Sequence, residues 1–408
     1  MKQTSNISDQ FNRIKQKLST KRVSSIRQIL AVIIIVLSIT NLLTFRKVAS
    51  LSTELSELTA QKSDLTGKLT EINKSYDELK NQDQVKINTD LKAELGNIKA
   101  TYGKVVTSYE DLLKLKEKSE DTGELDKLFT DALVLLTKED YSLASTKLTD
   151  LQNGISSEEA KIAATFIIPA SVPENNTPPG SGYNRQSVNT DAGTFLVSII
   201  SADLSSTRVI VDTASDSDCS DNCPVLPLAT YISRNNAYAG VNGSYFCPAS
   251  YPSCAGKTNT FDLLVMNYKK TYFNSDNNVY SNNPAVIFGD GYIRFVSAVS
   301  QWGRDTSPNG VLSNYPLLVQ GGNITFGGDD DPKKGSKGAR SFVANKSNTV
   351  YIGVVHNATV AESARVMQAL GMENALNLDD GGSTALWSGG YKVGPGRDLP
   401  NVILFVRK

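Results

Sequence analysis

The chain has 408 residues, 40% of them hydrophobic, with 42 basic and 42 acidic side chains. That length provides for more than one folded unit with a sizeable core, and the balanced charge argues against a nucleic-acid partner. A single histidine leaves a Cys/His metal site poorly supplied.

From Gln28 to Phe45 no residue is charged, and Ile, Leu and Val dominate. As a helix this run spans roughly 27 Å, close to the thickness of a bilayer core. Lys2, Arg13, Lys15, Lys17, Lys21, Arg22 and Arg27 precede it against one acid, Asp9, and only Arg46 and Lys47 follow closely. This asymmetry predicts a basic cytoplasmic tail at 1–27, a transmembrane helix at 28–45 and an extracytoplasmic remainder at the plasma membrane. A retained anchor is favoured over a cleaved leader, because the apolar run is long and Lys47 sits three residues before the best small-residue cleavage position.

Beyond the anchor, Leu51, Leu55, Leu58, Leu65, Leu69, Ile72, Tyr76 and Leu79 fall in steps of four and three, with Lys62 in the missing seam position. This heptad seam predicts a coiled coil over 48–118, which allows a homo-oligomer and leaves the oligomeric state open. The pattern lapses through Asn81–Asn88 and resumes out of phase at Leu91, Leu95, Ile98, Tyr102, Val105, Tyr109 and Leu112. A hairpin and a register skip both fit. Residues 123–166 read as a small helical segment, with helices near Glu124–Thr137, Glu139–Gln152 and Ser156–Thr165 serving as a spacer. Residues 167–190, rich in Pro, Asn, Ser and Gly, read as a linker.

The texture then changes. Between 191 and 408, short β-prone runs alternate with turn residues: Phe195–Ile200, Arg208–Asp212, Phe261–Met266, Ala285–Phe288, Tyr292–Val296, Leu317–Gln320, Ser341–Ala344, Val350–Val355 and Val402–Val406. One helix interrupts them, capped by Thr359 with Glu362 three residues on and closed by Gly371. The expected class is α+β: a mostly β C-terminal domain with an inserted helix. Cys219, Cys223, Cys247 and Cys254 lie in this region. In an exported domain they read as disulfides, and the local pairs Cys219–Cys223 and Cys247–Cys254 are favoured because Pro224 and Pro248 mark tight loops. Their spacing does not suit zinc.

Three stretches look chemical. Val241-Asn242-Gly243-Ser244-Tyr245-Phe246 follows a short strand, and Gly338-Ala339-Arg340-Ser341 opens one. Ala375-Leu376-Asn377-Leu378-Asp379-Asp380-Gly381-Gly382-Ser383-Thr384 begins as a buried strand and delivers two carboxylates into a glycine turn. Such a turn brings backbone N–H groups close to a bound anion.

In their order and spacing, these blocks resemble the phosphodiester glycosidase family over roughly Gly193–Lys408. The matching residues are Asn242-Gly243-Ser244-Tyr245-Phe246, Gly321-Gly322, Arg340-Ser341, the helix Val360-Ala361-Glu362 through Met367-Gln368-Ala369-Leu370-Gly371, Asn377 to Thr384, and Arg397 with Asn401 near the end. Asp380 departs from the pattern by replacing the first glycine of a Gly-Gly-Gly run, and Tyr245 replaces a Phe.

The resemblance implies hydrolysis of the bond between an anomeric carbon and a phosphodiester, in a phosphoglycan or glycolipid. Asp379 is the carboxylate expected to act as nucleophile or base on the oxocarbenium-like centre. Arg340 is expected to stabilise the departing phosphate as a bidentate donor, helped by the Gly381 and Gly382 N–H groups. Asn242 would hold a sugar hydroxyl or orient the carboxylate, and Ser383 would bond phosphate or the Asp. Gly243, Asp380 and His356 complete the substrate-binding candidates, and a glycine at 380 is expected to leave the site working. No cofactor is expected. The run Asp329-Asp330-Asp331 could bind calcium but reads better as a solvated loop. The rival readings are a non-catalytic phosphoglycan-binding module and an envelope scaffold carried on the stalk.

Overall fold

A computed structural model describes residues 6–274, 281–305 and 307–408; Lys2 of the basic tail lies outside them. The chain divides into two compact units, Met1–Leu95 and Gly96–Lys408. In the first, helix α1 (Asn6–Lys80) carries the uncharged run without interruption and is long and apolar enough to cross a membrane. Its seam residues from Leu51 to Leu79 are exposed along their whole length. The heptad lapse falls at a break over Asn81–Gln82, after which helix α2 (Asp83–Lys116) begins.

From Gly96 onward α2 belongs to the second unit, and here the coiled-coil expectation to residue 118 is corrected. Helices α3 (Gly123–Thr137) and α4 (Tyr141–Thr165) fold against α2 and bury Leu112, Leu115, Leu125, Ala132, Leu148, Leu151 and Ile155 together. Tyr109 stacks on Phe129 at 5.1 Å between ring centroids, and Lys104 donates to the Ser145 carbonyl at 3.0 Å. A bundle helix and a coiled-coil helix show the same i, i+3, i+4 stripe, so spacing does not say which partner covers it. The expected break before Ser156 is absent, since α4 runs unbroken to Thr165.

The linker is shorter than expected. Gly182–Thr190 forms a strand paired antiparallel along its whole length with Gly193–Asp203. These two strands begin a seven-stranded antiparallel sheet, which continues through Thr349–Ala358, Gly338–Lys346, Asn374–Asn377, Leu317–Gln320 and Asn323–Ile324. One of its faces packs on helix α5 (Val360–Ala369), with Phe342, Val197 and Ile199 against Ala364, Met367 and Leu370. The capping box at Thr359 and Glu362 starts α5 as expected. The other face, with Ile200, Val343, Ile352 and Leu376, packs on two five-stranded sheets. One of these holds Ala239–Asn242 between Leu386–Ser388 and Asn401–Arg407. The fold is α+β. Both expected disulfides are present, with Cα–Cα separations of 5.7 Å for Cys219–Cys223 and 5.4 Å for Cys247–Cys254.

Because Leu148 is fully buried in the bundle, Leu148→Ala is expected to cost ~2–5 kcal/mol. Thr359→Ala, which removes the cap of α5, should cost about 1 kcal/mol. Denaturant unfolding followed by fluorescence would rank the two, and a negligible effect of Leu148→Ala would contradict the bundle.

Candidate active site

The three sequence blocks converge where strand ends of the large sheet meet those of the second sheet. Gly338–Lys346 pairs with Asn374–Asn377, bringing Ser341 beside the chain as it leaves Asn377, and Leu378 N–H donates to the Ser341 carbonyl at 2.9 Å. From the second sheet, Asn242 Nδ2 donates to the Asp379 carbonyl at 2.7 Å. Asn242 Oδ1 accepts from Ser341 Oγ at 2.8 Å and from Ala385 N–H at 3.1 Å. Asn242 is fully buried, so of its two expected roles the geometry matches orientation of the carboxylate segment.

Gly243 sits where a side chain has no room, because a Cβ there would lie 1.8 Å from Asn401 Oδ1. Its carbonyl accepts the Asp379 N–H at 2.9 Å, which brings the two blocks into direct contact.

Asp380 is the most heavily bonded carboxylate of the cluster. Its Oδ1 accepts Ser341 N–H at 3.1 Å, and its Oδ2 accepts from Arg340 Nη1 at 3.2 Å, Asn377 Nδ2 at 3.0 Å and Tyr245 OH at 3.5 Å. The Arg340 and Asp380 side chains are only 7% and 9% exposed. Burial pushes the Asp380 carboxyl upward, and Arg340 and the hydrogen bonds oppose that rise. The rest of the Arg340 fork donates to the carbonyls of Ala358, Lys333 and Ser336. Arg340 is therefore committed to the fold and to Asp380, a different placement from the free phosphate fork expected of it.

Asp379 is only partly buried, and its carboxylate is held by lighter contacts. Its Oδ1 accepts the Asp380 N–H at 2.9 Å, and Ser383 donates its hydroxyl to the same carboxylate. Its pKa is raised to about 7 by burial; Ser383 and Arg397 pull it down and the Asp380 charge pushes it up. A carboxyl poised near neutrality suits proton transfer or attack on an electrophilic carbon.

Arg397 is the residue for which the sequence offered only a terminal motif. Its backbone N–H donates to the Gly382 carbonyl at 2.8 Å. Its guanidinium lies 5.4 Å from the Tyr251 ring centre and pairs with Glu117 of the segment after α2 at 2.6 Å. Gly382 is tightly constrained beneath this pair, since a Cβ would fall 2.2 Å from Glu117 Oε2 and 2.4 Å from Arg397 Nη2. Gly381 adopts a φ of 60° that favours glycine. Tyr251 is presented by the loop that the Cys247–Cys254 disulfide closes, and the Ser253 N–H of that loop donates to Glu110 of α2 at 3.0 Å. Neither Tyr251 nor Glu117 carried a sequence signal, whereas Tyr245 and Asn377 lay inside recognised motifs.

His356 goes elsewhere. It bonds Ser198 Oγ at 3.0 Å and stacks on Phe166, and none of its contacts among the described residues is with the Asp379–Asp380 cluster. Burial first, then the charge of Arg185, lowers its pKa to about 4. Asp329 and Asp331 pair with Lys334. Among the described residues no three acidic, His or Cys side chains group as a metal site would require.

The phosphodiester glycosidase family model matches residues 235–406. That span holds the Asp379–Asp380 cluster and Arg397, but not Glu110 or Glu117. No curated protein matches the chain. Among solved structures, the chain is similar to the catalytic domain of zebrafish N-acetylglucosamine-1-phosphodiester alpha-N-acetylglucosaminidase, auto-inhibited by its pro-peptide. The identity is 14% over 58% of this chain and 87% of that one, with a TM-score of 0.44. It is also similar to a hypothetical protein from Synechocystis, at 17% identity over 55% of this chain and 62% of that one, with a TM-score of 0.41. The chain thus spans less than two thirds of the cyanobacterial protein.

The expectation that a glycine at 380 is harmless changes with this geometry. Asp380→Gly leaves a buried guanidinium and the Ser341 N–H without their acceptor, and should cost about 3–5 kcal/mol. Asp379→Asn should do the reverse above neutrality. A folded pKa raised above the unfolded value near 3.9 contributes stability that is complete below that value and lost as pH rises through about 7. Removing the titration should therefore raise the unfolding midpoint more at pH 8 than at pH 5. Thermal melts at both pH values check this, and an equal shift at the two would contradict the raised pKa.

Proposed function

We propose that this chain is a membrane-anchored, extracytoplasmic hydrolase that cleaves the bond between the anomeric carbon of a sugar and a phosphodiester in a phosphoglycan or glycolipid. The observation that carries this reading is the placement of the half-buried Asp379 carboxylate at the Gly381-Gly382-Ser383 turn, where Ser383 bonds it and the Arg397 N–H bonds the Gly382 carbonyl. The family match over residues 235–406 supports a hydrolase-like activity. The apolar α1 and the two disulfides are consistent with anchoring or secretion.

In this mechanism the C1–O bond breaks, its electron pair leaves with the phosphate as a phosphomonoester, and water supplies the hydroxyl that C1 gains. That group is a stable anion, so it needs charge stabilisation more than a proton. Arg397 supplies this charge, the part first assigned to Arg340. Arg340 instead holds Asp380, which fixes the backbone from which Asp379 projects. Ionised Asp379 stabilises the positive charge developing at C1, as nucleophile or as base toward water. Tyr245 and Asn377 keep Asp380 in place. The exposed seam of α1 supports a homo-oligomer that would display several such domains on one stalk.

Turnover of sugar-1-phosphodiesters by the full chain in detergent tests the reading. Asp379→Asn is expected to reduce kcat at least a hundredfold, on the order of 3 kcal/mol of lost transition-state stabilisation, while the protein stays folded. The rate should rise with pH through a limb near pH 7, because the ionised carboxylate is the active form. Arg397→Met removes the cation that favours ionisation and should move that limb upward. Binding of a phosphosugar with no turnover by the wild type would favour the binding-module reading instead, and wild-type turnover by Asp379→Asn would overturn the role given to Asp379.

A further inference from the structure

Three cations from separate parts of the chain surround one aromatic ring at the edge of the site. The ammonium of Lys114 on α2 lies 5.5 Å from the Tyr251 ring centre and that of Lys333 lies 5.9 Å from it, with the Arg397 guanidinium at 5.4 Å. Lys114 and Lys333 also contact each other directly, although like charges repel. Each is held there by the fold rather than by free choice of rotamer alone. Lys333 belongs to the short helix Pro332–Gly335, whose start is capped by Asp331. Its carbonyl accepts from Arg340 Nη2 at 3.0 Å, so its backbone is tied to the Asp380 cluster. Lys114 stands on α2 one turn before the segment that carries Glu117, and its side chain is 24% exposed.

The facing acids answer two of the three cations. Asp111 lies 3.4 Å from Lys114, Glu117 takes Arg397, and Glu110 is buried and accepts the Ser253 N–H. Among the described residues no carboxylate pairs with Lys333. Burial, followed by the Lys333 charge, lowers the Lys114 pKa to about 8, while Asp111 opposes the shift. Phosphate is the anion suited to such a cluster, since it accepts from several donors at once. The ring beneath gives the cations a common platform.

We propose that Lys114 and Lys333, next to Arg397 at the Tyr251 ring, form a subsite for a second phosphate on the leaving side of the substrate. The inference rests on the glycosidase reading and narrows it: the preferred substrate carries a further phosphate beyond the scissile phosphodiester. The helical bundle then contributes to substrate selection through Lys114, which lies outside the family-matched span.

The test uses the full chain in detergent and reads binding apart from turnover. Glycerol 1-phosphate and glycerol 1,3-bisphosphate are titrated by calorimetry into the wild type and into Asp379→Asn. The bisphosphate should bind at least tenfold tighter to both, and added salt should shrink the difference. Combined Lys114→Met and Lys333→Met should bring the two ligands to similar affinity, while Lys114→Arg with Lys333→Arg should keep most of the preference. Equal affinity in the wild type, or a preference that survives the double methionine variant, would overturn the subsite. An N-acetylglucosamine 1-phosphodiester of glycerol phosphate and one of methanol then report turnover. If neither is cleaved while the bisphosphate preference and its lysine dependence hold, the glycosidase reading fails for these probes and the subsite stands as an anion-binding site.

Discussion

A carboxylate enclosed by strand ends must be met by donors from several directions, and the way Asp380 is met organises the site. Its partners come from the Gly338–Lys346 strand, from Asn377 at the end of the neighbouring strand, and from Tyr245 after the strand Ala239–Asn242. Arg340 carries the opposing charge and also ties Ala358, Lys333 and Ser336 to the same point. Two sheets and a surface helix thus share one ion pair. The desolvation of that pair is offset only because nearly every donor on it is used.

Asp379 inherits its position from this arrangement without sharing its satisfaction. Its backbone is fixed on both sides by Asn242 and Gly243, while its carboxylate keeps fewer partners and a like-charged neighbour. Two adjacent aspartates therefore divide into a structural one, saturated by Arg340 and its hydrogen-bond donors, and a poised one that feels the charge of Arg397. Environment rather than residue type separates their roles.

The helical bundle is more than a spacer in this geometry. Glu110 reaches the disulfide-closed loop, Glu117 pairs with Arg397, and Lys114 lies over Tyr251. Residues 96–165 and the β-rich region belong to one compact unit, and the site sits against both. A fragment starting at Gly193 would lose these contacts, together with the edge strand Gly182–Thr190.

Much of this was legible before any fold was known, because local chemistry shows in local spacing. The uncharged run of α1, the capping box at Thr359 and the short-range disulfides depend on residues close together in the chain, and they appear where spacing put them. The α+β class followed from alternating short apolar runs and a single capped helix. Asn242, Arg340 and Asp379 were recognisable because each sits in a strand-end motif. Their division of labour was not. Arg340 and Arg397 carry the same charge, and only the packing of Ala358, Lys333 and Ser336 around the first directs its fork inward. The seam from Leu91 to Leu112 reads identically for a coiled coil and a bundle, since the stripe records that a face is covered and not by what. Glu117, Tyr251 and Lys114 had no motif at all. Chain separations of more than 80 residues bring them to Arg397 and Lys333, and contacts of that range leave no periodicity to read.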